Sequence, residues 1–121
     1  MALFGGPRTA RQVEGQAAED AALDYLQQQG LKLLQRNFRC KGGEIDLILQ
    51  HQDTLVFVEV RKRGDARFGG AAASVTARKQ ARLVLAAQVF LQTYRVPPAC
   101  RFDVIAIDGQ RLSWIRNAIE A

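Results

Sequence analysis

The stretch Gly43-Glu44-Ile45-Asp46-Leu47-Ile48, followed after a short polar break by Val56-Phe57-Val58-Glu59-Val60-Arg61, decides the fold of this chain. Side chains on a β-strand alternate between two faces. Glu44, Asp46, Ile48 and Gln50 therefore share one face of a first strand, and Leu55, Phe57, Glu59 and Arg61 share one face of a second. Gln52-Asp53 suits a two-residue hairpin turn, for which partners have a constant sum of residue numbers. That register sets Ile48 against Phe57, Asp46 against Glu59 and Glu44 against Arg61. The ribbon then grades from apolar near the turn to charged at its open end. A carboxylate in such a strand needs a partner, because an unpaired charge in an apolar setting is costly. A divalent cation suits several carboxylates meeting at one point. A one-residue slip would separate the acids, so the whole expectation depends on register.

Upstream, residues 1–8 read as a flexible N-terminal tail, and residues 9–121 as a single domain. Thr9 with Gln12 makes a capping-box arrangement for a first helix. Val13, Ala17, Ala21 and Leu26, with Ala18, Ala22 and Tyr25 beside them, form its apolar stripe. At most one or two of Glu14, Glu19, Asp20 and Asp24 should face inward. Gly30 is placed to end the helix in a left-handed cap. Residues 31–38 read as a short edge strand leading into a basic turn of Arg36, Arg39 and Lys41, and Gly42-Gly43 opens the hairpin.

Downstream, residues 63–73 are rich in glycine, alanine and charge and read as a mobile loop bordering the charged end of the hairpin. Ser74 can cap a second helix running to about Thr93, with Val75, Ala81, Val84, Leu85 and Val89 facing the core. Arg78, Lys79 and Arg82 form a basic edge on it. Pro97-Pro98 stops that helix. Residues 101–108 read as a buried strand, Gly109-Gln110 as a turn, and residues 112–119 as a short strand entering a helical turn. Asp103, near the sheet centre, is expected to pair with Arg101 or with an arginine of the first loop. The order α, several β, α, β is that of a small mixed α/β domain.

Of the 121 residues 48% are hydrophobic, enough to bury one core and to exclude disorder. No apolar run approaches the roughly 20 residues that cross a bilayer, and the N-terminus lacks a signal-peptide core. The cytoplasm is the expected compartment. Cys40 and Cys100 lack zinc-ligand spacing and read as reduced packing residues, and His51 as a solvated turn residue. Phe68 and Trp114 are more readily core residues than base-stacking platforms. The net charge of +5 rests on 13 arginines against 4 lysines. Arginine's planar fork grips phosphate at two points, so nucleic acid is the partner this charge suggests.

Two acids on adjacent strands can bind Mg²⁺, which fills its remaining positions with water and phosphate oxygens. The same residues also satisfy a structural reading, in which Glu44 or Glu59 pairs with Arg61 across the ladder, such pairs contributing at most about 1 kcal/mol. The pattern alone leaves both open.

Further residues carry a resemblance across nearly the whole chain. They are Gly15 with Ala18-Glu19, Arg36-Asn37-Phe38-Arg39, the run from Gly43 to Ile48, and Phe57-Val58-Glu59-Val60-Arg61-Lys62-Arg63. Phe68-Gly69, Lys79, Arg101-Phe102-Asp103-Val104 and Asn117-Ala118 complete it. On these the chain resembles the YraN-like family of small bacterial proteins, relatives of the restriction-endonuclease-like and Holliday-junction-resolvase-like nucleases. The resemblance implies an α/β fold of restriction-endonuclease-like type, a mixed β-sheet flanked by helices. It implies Asp46, Glu59 and Arg61 as catalytic residues, and Asp46, Glu59 and Glu19 as ligands of Mg or Mn. DNA, branched or damaged, is the implied substrate, with Arg36, Arg39, Lys41, Lys62, Arg63, Arg78, Lys79 and Arg82 as candidate contacts. Arg61 stands where relatives usually carry lysine. A buried lysine can lose its proton and activate water, whereas arginine only donates. A nucleic-acid-binding module with attenuated cleavage is therefore the alternative, and an internal salt-bridge lattice a third. Resolvase-like relatives work as symmetric dimers, so the resemblance allows a homodimer, although no exposed apolar face in this sequence is clear enough to predict one.

Overall fold

The computed structural model describes residues 10–64 and 69–120. They form α1 (Ala10–Gln28), β1 (Lys32–Cys40), β2 (Gly43–His51), β3 (Thr54–Arg63), α2 (Gly70–Ala73), α3 (Ala77–Leu91), β4 (Ala99–Asp108) and β5 (Arg111–Ile119). The expected tail, the Thr9 cap and Phe68 lie outside the described residues. The strands make one mixed five-stranded sheet in sequence order. Only β3 and β4 run parallel, and the chain crosses between them through α2 and α3. This is the α/β arrangement expected, consistent with a restriction-endonuclease-like fold. No described helix is long and apolar enough to cross a membrane.

The hairpin register is the one its turn dictates: His51 pairs with Thr54, Ile48 with Phe57 and Leu47 with Val58. Strands β2, β3 and β4 are buried on both faces. Leu47, Leu49, Val56, Val58, Ile105 and Ile107 pack with Ala18, Ala22 and Leu26 of α1. Ile48, Leu55, Phe57, Phe102, Val104 and Ala106 pack with Leu83, Ala86 and Ala87 of α3. Gly30, at φ 93, ends α1 as expected, with the Leu31 amide donating to the Leu26 carbonyl.

Several expectations are corrected. Helix α1 buries Ala18, Glu19, Ala22 and Leu26, while Val13, Ala17 and Ala21 face water. Small side chains at positions 18 and 22 let the helix lie close to the sheet, and an alanine-rich helix offers several stripes of nearly equal apolarity. Helix α3 likewise buries Leu83, Ala86 and Ala87 and exposes Ala81 and Leu85. Its cap is Thr76, whose Oγ1 accepts from the Lys79 amide, not Ser74. Residues 70–73 of the expected loop form α2, with the Ala71 amide donating to Asp108 Oδ1 at 2.7 Å. Arg36 and Arg39 lie in β1 rather than in a turn.

Strand β5 continues to Ile119 without a helical turn, because Asp103 holds it. That fully buried carboxylate accepts from Trp114 Nε1 at 2.9 Å, from the Asn117 amide at 2.9 Å and from Arg101 Nε at 3.1 Å. His51 is not a solvated turn residue: Arg101 Nη2 lies 3.0 Å from its Nδ1. Guanidinium can only donate, so that ring nitrogen accepts. Partial burial, and then Arg101, lower the His51 pKa.

Candidate active site

The β2–β3 ladder ends at Leu47 and Val58, one step short of the acids. Strand β3 nonetheless stays paired with β4 as far as Arg63 and Asp108. The strands part at Asp46, whose Oδ2 accepts the Val60 amide hydrogen at 2.7 Å where a backbone carbonyl would otherwise lie. The side-chain alternation of β2 also changes there, since Ile45 packs on the α3 side while Leu47 and Leu49 pack on the α1 side. Asn37 falls opposite Asp46 in the β1 register and takes φ 51, a conformation asparagine tolerates better than most residues. The parted strands open a cavity of about 740 Å³ between β3 and α1, lined among others by Glu19, Asn37, Asp46, Glu59, Arg61 and Lys62.

Asp46 and Glu59 meet in this cleft. Burial raises the pKa of both. The adjacent Asp46 charge adds to this for Glu59, whose carboxyl is pushed up to about 8 and hydrogen-bonds Asp46. Two carboxyl groups can share such a bond only if one carries a proton. The expected cross-strand relation of the acids thus exists as a side-chain contact, not as a ladder pair.

Arg61 Nη1 lies 3.7 Å from Glu59 Oε2, and Arg61 Nε donates to Ser74 Oγ at 3.0 Å. Glu44 does not face Arg61 as expected. It sits opposite Arg39 on β1, 3.8 Å from Arg39 Nε, because β2 has already left β3. Lys79 is partly buried, and its pKa is lowered by that burial and then by Arg61, with Glu59 and Asp46 opposing.

Glu19 reaches the cavity from α1 and is nearly buried. Burial raises its pKa, against the lowering effect of its hydrogen bond from Arg36. Arg36 Nε and Nη2 lie 3.0 and 2.9 Å from Glu19 Oε1, and Asn37 Nδ2 donates to the same oxygen at 3.2 Å. Arg36 also reaches Asp20 at 2.7 Å, so this candidate phosphate contact is committed within the protein. Among the described residues no three Asp, Glu, His or Cys side chains gather closely enough to hold a metal ion. Asp46 and Glu59 meet, and Glu19 and Glu44 line the same cavity. Arg39, Lys62 and Arg63 are exposed on the cavity lining, while Lys41, Arg78 and Arg82 are exposed on the β1–β2 turn and on α3.

Sequence reasoning missed Asn37 and Ser74. An asparagine inside a strand pattern signals a left-handed residue, which could have marked Asn37. Ser74 carries no such signal, since its contact depends on where α2 docks.

The sequence profile described as "Uncharacterised protein family UPF0102" matches residues 18–107, which contain every acid of the site. A UPF0102 protein of Herminiimonas arsenicoxydans is 69% identical, over 95% of this chain and 93% of its own. One from Janthinobacterium sp. (strain Marseille) is 65% identical, over 100% and 98%. One from Pseudomonas entomophila (strain L48) is 53% identical, over 94% and 98%. Matches of this extent cover the fold and the cleft together: the chain belongs to UPF0102, the YraN-like family.

Proposed function

We propose that this chain is a metal-dependent nuclease-like protein that binds DNA, branched or damaged, and hydrolyses phosphodiester bonds at the Asp46–Glu59 site. The observation that carries this reading is the meeting of the Asp46 and Glu59 carboxyl groups, partly buried, in a cavity also lined by Arg39, Arg61, Lys62 and Arg63. Two ionised acids pressed together in a cleft cost the fold stability, and a cation relieves their repulsion. The donors are all oxygen, and Val60 already fixes one oxygen of Asp46, which fits Mg²⁺ or Mn²⁺ bound through two carboxylates with water and phosphate completing the shell. Asp46 and Glu59 would hold the ion, with Glu19 as a further acid from α1. Such an ion, when bound, makes a nucleophile of water at neutral pH and neutralises phosphate oxygens.

The chain's own residues do the rest. Arg61 donates to the scissile phosphate and stabilises charge that builds on its oxygens. It has no lone pair to give, so the proton of the attacking water passes to a carboxylate. Arg39, Lys62, Arg63 and Lys79 attract the backbone on either side. Arg36 and Asn37 hold Glu19 in place.

A second reading, a nucleic-acid-binding module with little cleavage, is favoured by Arg61 at the usual lysine position. The test is incubation of purified protein with labelled linear, nicked and four-way DNA, with and without Mn²⁺, beside Asp46→Asn and Arg61→Lys. Metal-dependent cutting that Asp46→Asn abolishes supports the nuclease. Salt-sensitive binding without cutting supports the module. Absence of both leaves a salt-bridge lattice that shapes the hairpin.

A further inference from the structure

We propose that Ser74 is a positioning residue for Arg61, and that α2 is a bracket which turns the Arg61 guanidinium into a two-point phosphate fork; this rests on the nuclease-like reading above. Ser74 is nearly buried, and both functions of its hydroxyl are used. Its Oγ donates to the Ala71 carbonyl at 2.6 Å and accepts from Arg61 Nε at 3.0 Å. The first bond orients the hydroxyl hydrogen, which leaves the oxygen's lone pairs for the arginine.

The bracket is fastened to the strands that carry the site. The Ala71 amide donates to Asp108 Oδ1 at 2.7 Å, and a Cβ on Gly70 would lie 2.6 Å from the same oxygen. The adjacent Gly109 amide donates to the Arg63 carbonyl at 2.9 Å, tying the end of β4 to the end of β3. Guanidinium is planar, so engaging Nε fixes the plane in which both Nη groups lie. Nη1 is 3.7 Å from Glu59 Oε2, and Arg61 lines the cavity. The outer edge is thereby presented beside the carboxyl pair, in the form that suits two oxygens of one phosphodiester. Lysine at position 61 has no inner N–H to give to Ser74 while its outer edge serves a phosphate. The bracket is thus a device for arginine, and it accounts for how a phosphate contact persists without lysine.

Two measurements test this. The Arg61 Nε–H signal in a ¹H–¹⁵N spectrum, assigned by its loss in Arg61→Lys, should be protected from water exchange in the wild type and in Ser74→Thr, and unprotected in Ser74→Ala. Binding of labelled four-way DNA in Ca²⁺ should weaken roughly tenfold in Ser74→Ala, stay within about twofold in Ser74→Thr, and show no further loss when Ser74→Ala is added to Arg61→Lys. Mn²⁺ affinity of Ser74→Ala, measured by calorimetry, should equal that of the wild type. An unprotected signal in the wild type overturns the bracket whether or not DNA binds. DNA binding unaffected by Ser74→Ala, or weakened equally in the Arg61→Lys background, overturns the fork while leaving the nuclease-like reading intact. A protected signal in a wild-type protein that binds no DNA refutes that reading and the fork with it.

Discussion

Glu59 is the residue at which stability and the proposed function pull apart. Its carboxyl titrates near 8, against an ordinary 4.5, because it is buried against Asp46. The folded chain therefore holds this proton more tightly than the unfolded chain does. Stability from that protonated pair is fully present below about 4.5 and is lost as pH rises through about 8. Asp46 is raised by burial too and moves the same way, so the pair titrates as a unit. Glu59→Gln keeps the shape and removes the second charge. Without metal it should raise Tm at about pH 9 by several degrees, on the order of 1 kcal/mol or more, with little change at about pH 4. Mn²⁺ should reverse the order, stabilising the wild type by binding the folded state and leaving Glu59→Gln unmoved. Thermal melts at the two pH values check both signs. A Glu59→Gln protein that melts below the wild type at the higher pH would show a structural ion pair with Arg61 instead.

Two glycines show what the elements demand of the sequence. A Cβ on Gly43 would lie 2.5 Å from the Arg82 carbonyl and 3.0 Å from the Ala86 amide, so the glycine admits the α3 backbone against the start of β2. Gly43→Ala must push helix from sheet, and should cost about 1–3 kcal/mol in denaturant unfolding. Gly15, inside α1, has nothing within 4 Å of the equivalent position. Gly15→Ala should stabilise by about 0.5–1 kcal/mol through helix propensity alone. Equal effects at the two positions would sink the account of α3 docking. The contrast also shows how far the sequence is legible. Period-two alternation and a two-residue turn specify β2 and β3 locally, so their register is readable down to Ile48 against Phe57. The faces of α1 and α3 are readable only in part. Ala18, Ala22, Leu26 and Val84 face the core as expected, while Ala17, Ala21, Ala81 and Leu85 do not, because neighbouring stripes of similar apolarity leave the choice to the sheet they meet. The contact of Asp46 with Glu59 was readable, but its form was not. It arises where β3 leaves β2 for a parallel partner some 45 residues later in the chain, Thr54 against Ala99, and local pattern does not report that pairing.

At the scale of the whole molecule the charge of +5 divides into cations that face water and cations spent inside the fold. Arg36 is held by Glu19 and Asp20, and Arg101 by Asp103, so neither is free to neutralise a phosphate. Lys62 and Arg63 are exposed on the rim of the cavity, where under the proposed function a backbone would approach the carboxyl pair. Salt dependence separates these classes, since each phosphate neutralised on duplex DNA contributes about −0.9 to the slope of log K against log salt. Replacing Lys62 and Arg63 together by alanine should therefore reduce that slope by roughly 1.8 in magnitude. Arg36→Gln should leave the slope unchanged, and should lower stability because it strips the buried Glu19 carboxyl of its principal hydrogen-bond donor. Fluorescence anisotropy across a salt series reads the slopes, and urea unfolding reads the stability. A slope that falls with Arg36→Gln and not with the rim pair would move the DNA path to the β1 side of the sheet. It would also make the Glu19–Arg36 pair a contact that opens on binding rather than a fixed strut.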